Sequence, residues 1–355
     1  MAGSAGLRAA RDAEADGDQA AAQTGEQTRT KGQALSVDYT VAYFTSRREP
    51  HFDWFANALA WQAKDDLPNI QLVLVDFYAD APGRKEAMAE HAPTSSFLHL
   101  PPKPNVWQGR YRQAKRDYFA ASNARNTALI VADGSMFVGV DDLSVPVSGW
   151  WSQIKHAAHH RYLALGAFSK VRNLRVENGR ILDFDLDPNG QDSRWSTGSD
   201  GGIVRSTGSA LYGCNFAVPL ETAIKVDGLC EGCDAQGAED YDFGIRLERA
   251  GLPVFFNRNM LTLESMEGHE LEPSLPREKV RVPNHFLPDP LRGSFPNGMD
   301  SDHAAIKSLL ATYRTQPLIP SHLKEARELW RKTGQFKEPD CGAYDWRTGA
   351  LVAAT

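Results

Sequence analysis

The run Ile70-Gln71-Leu72-Val73-Leu74-Val75 is apolar almost without interruption, the pattern of a strand buried on both faces of a parallel sheet. A β-favouring run, Tyr39-Thr40-Val41-Ala42-Tyr43-Phe44, precedes it. Between them a helix is predicted from Phe52 to Lys64, where Phe55, Leu59 and the Trp54/Trp61 pair supply apolar faces. Strand, helix and strand make a βαβ unit, and in sheets of such units ligands sit outside the carboxyl ends of the strands. Those ends are Thr45-Ser46-Arg47 and Asp76, which therefore belong to one rim.

The rest of the chain extends this pattern. Phe97-Leu98-His99-Leu100 reads as a short strand among prolines, and residues 111–131 as a helix carrying Ser122-Asn123-Ala124-Arg125-Asn126. The apolar run Ser135–Val140 ends in Asp141-Asp142, so three inferred strands end in polar or acidic residues and suggest one composite site. Residues 150–160 suit a helix and 162–168 a strand. Asn178-Gly179, set between Leu174–Val176 and Ile181–Phe184, is a hairpin signal because both residues tolerate positive φ. Residues 187–209 are polar and glycine-rich, as substrate-contacting loops often are. Two late helices are expected over 302–314 and 321–333, packed back on the core, and no internal repeat is found.

Composition narrows the function classes. The 355 residues are 42% hydrophobic and 24% charged, which suits one large α/β domain with appendages. A net charge of -6 gives no global reason to bind nucleic acid or an anionic membrane. The four cysteines make no disulfide framework, and Cys230-Glu231-Gly232-Cys233 is half a zinc site with no second pair. No apolar run reaches the ~20 residues that span a bilayer, and no apolar signal core opens the chain, so a soluble cytoplasmic protein is expected. Residues 1–36, poor in large apolar side chains, read as a disordered tail or as an upstream extension of the true start.

The run Gly237-Ala238-Glu239-Asp240-Tyr241-Asp242-Phe243 sets adjacent carboxylates where an amphipathic helix begins. Ile245 and Leu247 are expected to be buried, and Arg246, Glu248 and Arg249 exposed. Carboxylates there are favoured by the positive end of the helix dipole. They serve either as helix caps or, held in a fixed direction beside a small-residue loop, as a general base.

In their order these features resemble a nucleotide-sugar glycosyltransferase of the GT-A fold. They are most similar to the family 2 type and to the carboxyl-terminal region of β-1,4-galactosyltransferases, over residues 38–270. Three motifs carry the resemblance: the opening strand with Thr45-Ser46-Arg47, then Ala124-Arg125-Asn126 leading to Asp141-Asp142, then Tyr212–Val218 followed by Asp227-Gly228-Leu229 and Gly237-Ala238-Glu239-Asp240. The resemblance implies an α/β domain over 37–272, with a Rossmann-like, mixed, mostly parallel sheet flanked by helices. A proline-rich segment with C-terminal helices over 273–355 forms an extension.

The resemblance also implies roles. Thr45, Arg47, Asp76, Arg125 and Asp141 would bind a donor, a UDP-sugar first, with Asp76 reading the nucleobase. Asp240 would be the general base of an inverting transfer to an acceptor hydroxyl, and Glu239 would hold the acceptor or orient Asp240. A divalent metal, Mn²⁺ or Mg²⁺, would be held by Asp141, Asp142 and His269, with Glu264 and Glu267 as competing ligands. The family's Asp-x-Asp is here replaced by adjacent acids, and its Gly-Gly-Phe segment by Asp227-Gly228-Leu229. Trp195, Arg205 and Tyr212 would face the acceptor, whose class stays open among glycan, lipid-linked sugar, protein and modified nucleobase. Two other classes remain: a noncatalytic nucleotide-sugar or glycan-binding module, and a nucleotidyltransferase of related architecture.

Overall fold

The computed structural model describes residues 37–105, 107–111, 117, 119–196, 202–231, 234, 239–272, 281–282, 299–300 and 321–339. The first half comprises β1 (Tyr39–Thr45), α1 (Phe52–Gln62), β2 (Ile70–Asp76), α2 (Arg84–Ala89), β3 (Phe97–Leu100), α3 (Ala121–Val131), β4 (Met136–Asp141), β5 (Ser144–Pro146) and α4 (Trp150–His160). There follow β6 (Leu163–Glu177), β7 (Arg180–Gln191), β8 (Ile203–Arg205), β9 (Asn215–Pro219), α5 (Leu220–Lys225), α6 (Glu239–Arg249), β10 (Val254–Ser265) and α7 (Met266–Leu271). A short ladder of β11 (Arg281–Val282) with β12 (Met299–Asp300) and the helix α8 (Leu323–Thr333) complete the described elements. The expected tail over 1–36, the helix over 302–314 and Cys233 lie outside the described residues.

The main sheet has the order β3-β2-β1-β4-β9-β6-β10-β5, with β7 on β6 and β8 on β10. β1, β2, β3 and β4 run parallel, as do β6 and β10, while β9 and β5 run against them. This is the mixed, mostly parallel α/β arrangement expected. β2 is buried at all seven positions, because helices cover both faces of the sheet. Alternate residues divide between two cores, as the two-residue period of a strand requires. Val41, Tyr43, Leu72 and Leu74 pack with Phe52, Phe55, Trp150 and Trp151 of α1 and α4. Ala42, Phe44, Val73 and Val75 pack on the other face with α3, α5, α6 and α8.

α3 is the element whose reading changes most. It starts at Ala121, not near residue 111, and all eleven of its residues are buried. It shows no apolar stripe because Asn123, Arg125, Asn126 and Thr127 each have a polar partner inside the fold. Its N-terminus is capped from a distance: Ser122 N and Asn123 N donate to Asp234 at 2.5 and 3.2 Å, meeting donors that a helix start leaves unpaired. At the other end Arg327 of α8 donates to the carbonyls of Leu129, Ile130 and Ala132. Both ends of the helix are thereby fixed.

Two further expectations are met. The β6/β7 hairpin turns at Asn178-Gly179 with φ of 50° and 74°, and β7 continues to Gln191, taking in the start of the polar stretch. A Cβ on Gly179 would lie 2.1 Å from Ala58 N, so the hairpin tip rests directly on α1. The late helix over 321–333 is α8, and Asp227 caps it, accepting from Ser321 N, His322 N and Leu323 N at 2.7, 3.1 and 2.7 Å.

Candidate active site

Strand register brings the rim together. Thr45 lies opposite Asp76, and Phe44 opposite Asp141, at the carboxyl ends of β1, β2 and β4. Asp142 accepts from Thr45 Oγ1 at 2.7 Å and from Arg47 Nε at 3.1 Å, one donor to each oxygen. Asp141 accepts from Arg125 Nη2, at 2.8 and 3.1 Å to its two oxygens. Burial pushes the Asp141 carboxyl up, and Asp142, Glu264 and Asp240 add to that against the pull of Arg125, leaving it at about 7. Arg125 itself is held above its ordinary value, because Asp141, Asp240 and Glu239 outweigh its own burial. Its Nε and Nη1 have no hydrogen-bond partner among the described residues, and the guanidinium lies 5.5 Å from the Phe44 ring centroid.

α6 supplies the opposite wall. Its first residue, Glu239, is buried, and Asp240 next to it is half-buried. Asp240 Oδ1 is enclosed yet has no hydrogen-bond partner among the described residues. The loop before β9 passes close by: a Cβ on Gly213 would lie 2.6 Å from both Arg125 Nη2 and Asp240 Oδ1. Only a residue without a side chain lets that loop run between the base candidate and the arginine. Tyr212, beside it, is 39% exposed and rests on Arg194, whose guanidinium is 4.5 Å from the ring and is neutralised by Asp192 at 2.6 Å. Burial near Glu264 and Asp141 pushes the Cys214 thiol well up, so it stays protonated. Further along α6, Arg246 is fully buried rather than exposed, because Asp242 one turn earlier meets its charge at 2.5 Å. Asp242 is therefore occupied in holding the helix.

The end of β10 and α7 close over the rim. Glu264 Oε2 is 3.3 Å from His269 Nε2, and His269 Nδ1 is 3.0 Å from Arg47 Nη2. Arginine only donates, so Nδ1 accepts and Nε2 carries the proton toward Glu264. Arg47 also donates to the Glu272 carbonyl, and the Glu272 carboxylate accepts from Arg48 N and Glu49 N at 2.5 and 2.8 Å. Glu264 Oε1 is buried without a hydrogen-bond partner among the described residues.

The expected metal ligands meet in space but do not offer a metal site. Both oxygens of Asp142 and both nitrogens of His269 are engaged, and Asp141 shares its oxygens with Arg125. A dication between the two aspartates would sit roughly 5 Å from each guanidinium, a repulsion of about 7 kcal/mol apiece at an effective dielectric constant near 20. Among the described residues no group of three or more His, Cys, Asp or Glu is arranged to hold a metal ion. The cations present are arginines, and the donor set does not fit a divalent ion alongside them.

Other expected residues fall differently. Asp76 is closed to solvent and accepts from Arg84 Nε at 2.7 Å, from Tyr78 N at 2.8 Å and from His99 Nε2 at 3.0 Å. Burial raises its pKa, but the His99 and Arg84 bonds outweigh that and hold it below the ordinary carboxylate range. Arg84 also reaches the Arg47 and Arg48 carbonyls, tying the β1 and β2 exits together. Trp195 packs against the core, its carbonyl accepting from Arg258 at 2.7 Å. Arg205 pairs with Phe255 at the start of β10, the opposite end from Glu264, and is not brought to the rim. Sequence reasoning passed over Asp234 and Arg327, which fix α3. Neither stands near α3 in the chain, and Arg327 sits in a helix that looks like a solvated one.

No protein-family model matches the chain, and no curated protein matches it in sequence. Solved structures do resemble it. GalNAc-T7, solved with UDP, GalNAc and Mn²⁺, aligns with 64% of this chain and 43% of its own, at 11% identity and a TM-score of 0.45. Two structures of S. aureus TarS, one of residues 1–349 with UDP, each align with 66% of this chain at 14% identity, with TM-scores of 0.44 and 0.43. The match spans 62% and 38% of those chains, so this chain covers less than two thirds of each. A likeness of this size carries no chemistry from them to this chain. Among the described residues no helix is long and apolar enough to cross a membrane.

Proposed function

We propose that the protein is a GT-A-type glycosyltransferase, moving a sugar from a nucleotide-sugar donor, a UDP-sugar first among candidates, to an acceptor hydroxyl with inversion. The observation that carries this reading is Asp240 Oδ1: an enclosed carboxylate oxygen with no hydrogen-bond partner among the described residues, at the first turn of α6, beside Arg125 and Gly213. A carboxylate kept in that state has a lone pair to accept a proton.

In this mechanism the acceptor oxygen attacks the anomeric carbon from the face opposite the diphosphate. Asp240 takes the hydroxyl proton, and the bond to the diphosphate oxygen breaks, its electron pair leaving with the nucleoside diphosphate. Arg125, midway along α3, and Arg47, just past the end of β1, meet the growing negative charge, a role worth most in a site that excludes water. Glu239 lines the base side, and the exposed ring of Tyr212 offers the acceptor a flat apolar face.

The test is to incubate the full-length protein with a panel of nucleotide sugars and measure the nucleotide released. Nucleoside diphosphate release supports the transferase. Pyrophosphate release supports a nucleotidyltransferase, and binding without turnover a noncatalytic module; either result sinks the proposal.

A further inference from the structure

A divalent ion on a donor diphosphate neutralises the leaving charge and ties the phosphates to protein carboxylates. At this rim both carboxylates in that position already have a buried cation. Asp141 is 2.8 Å from Arg125, and Asp142 is 3.1 Å from Arg47. We propose that the guanidinium groups of Arg125 and Arg47 take the place of a divalent ion, so that the protein binds a nucleoside diphosphate without metal. The ligand class rests on the transferase reading; the exclusion of the ion rests on the arginines.

Both arginines are held in advance of any ligand. Arg125 is 3% exposed, on a helix fixed by Asp234 at one end and Arg327 at the other. Arg47 is 4% exposed and is gripped by Asp142, His269 and the Glu272 carbonyl. Cations placed this way need no reorganisation when charge arrives. A guanidinium can also bind phosphate through two parallel N–H bonds, which suits it to a diphosphate. Arg125 Nε and Nη1 are closed to solvent with no hydrogen-bond partner among the described residues, so this guanidinium acts on a diphosphate through its charge. The ion pairs with Asp141 and Asp142 then orient the arginines, a task the acids would perform for a metal in a metal-dependent site.

The experiment exchanges one cation for the other. Free Mn²⁺ is followed by electron paramagnetic resonance during titration into the full-length protein, alone and with UDP, and UDP affinity is measured by calorimetry in EDTA and in Mn²⁺. The wild type is expected to deplete no Mn²⁺ and to bind UDP within twofold under both conditions. Arg125→Met and Arg47→Met, each checked for a native melting transition, uncover carboxylates. At least one should bind Mn²⁺ ten times more tightly than the wild type and lose tenfold in UDP affinity in EDTA, partly regained with Mn²⁺. Stoichiometric Mn²⁺ binding by the wild type overturns the proposal, and so does failure of both folded variants to gain it. The Mn²⁺ titration needs no turnover, so it decides the matter even if no sugar is ever transferred.

Discussion

The two walls of the site are built by opposite rules. Along the exits of β1, β2 and β4 every carboxylate has a cation: Asp142 has Arg47, Asp141 has Arg125, and Asp76 has Arg84 with His99. Where α6 begins and β10 ends, Asp240 Oδ1 and Glu264 Oε1 are enclosed with no hydrogen-bond partner among the described residues. An unsatisfied buried oxygen costs about 1–3 kcal/mol, and a fold does not keep such a group without cause. The paired wall fixes charge in place, and the unpaired wall keeps lone pairs open for a proton. Asp240→Asn tests the contrast most severely. Transfer should fall by about 10²–10⁴, the usual worth of a general base, while UDP affinity measured by calorimetry stays within twofold. Near-full activity in Asp240→Asn would sink the assignment of the base.

The paired wall makes its own prediction about pH. Burial leaves the Asp141 carboxyl at about 7 in the folded chain against an ordinary 3.8, so the folded state holds a proton that the unfolded state has lost. Stability from this group is therefore complete below pH 3.8 and is lost as pH rises toward 7. Asp141→Asn has no such loss. Its stability relative to wild type should improve between pH 4 and 7, by about 1–2 kcal/mol once the linkage is discounted for the side chain's 31% exposure. Urea denaturation at several pH values checks this, and a gap that narrows or stays flat would show that Arg125 keeps Asp141 ionised throughout.

What the sequence shows clearly is what short-range patterning dictates. The apolar run of β2, the hairpin at Asn178-Gly179 and the polar residues at strand ends each declare themselves within a few positions. The register of a parallel sheet then puts Thr45, Asp76 and Asp141 on one rim. Pairing across the chain is not declared. Arg246 reads as solvated because Asp242 and the Val226 carbonyl that receive it cannot be weighed from the helix pattern alone. The adjacent acids Asp141-Asp142 read as metal ligands because nothing in their own stretch says that Arg47 and Arg125 arrive first. α3 reads as longer than it is because its start is set by Asp234, more than a hundred residues downstream.

The C-terminal helix belongs to the paired side of this contrast, since its job is to hold the helix that holds Arg125. Asp227 accepts three backbone N–H groups at the start of α8, and Arg327 of α8 caps α3. Asp227→Ala should cost about 1–2 kcal/mol, the usual loss for a helix cap. Hydrogen exchange should show faster opening of α8 before the rest of the domain, and activity should fall several-fold with no change in which donor is used. Equal protection of α8 in variant and wild type would mean that Arg327 alone carries the docking.

The smallest effect is expected at Arg205, and it bounds the site. The residue, on β8, pairs with Phe255 at the opposite end of β10 from Glu264, and its guanidinium lies over the Phe255 ring at 5.6 Å rather than toward the rim. Tyr212, by contrast, stands beside the Gly213 that separates Arg125 from Asp240. If the acceptor is met at the rim, Arg205→Ala should leave kcat and KM for transfer within twofold, whereas Tyr212→Ala should raise the acceptor KM at least fivefold without touching the donor KM. A several-fold rise in acceptor KM for Arg205→Ala would mean that the acceptor extends down the edge of the sheet past β8. That outcome would favour a long polymeric acceptor over a small one, because only an extended chain can touch both ends of β10 at once.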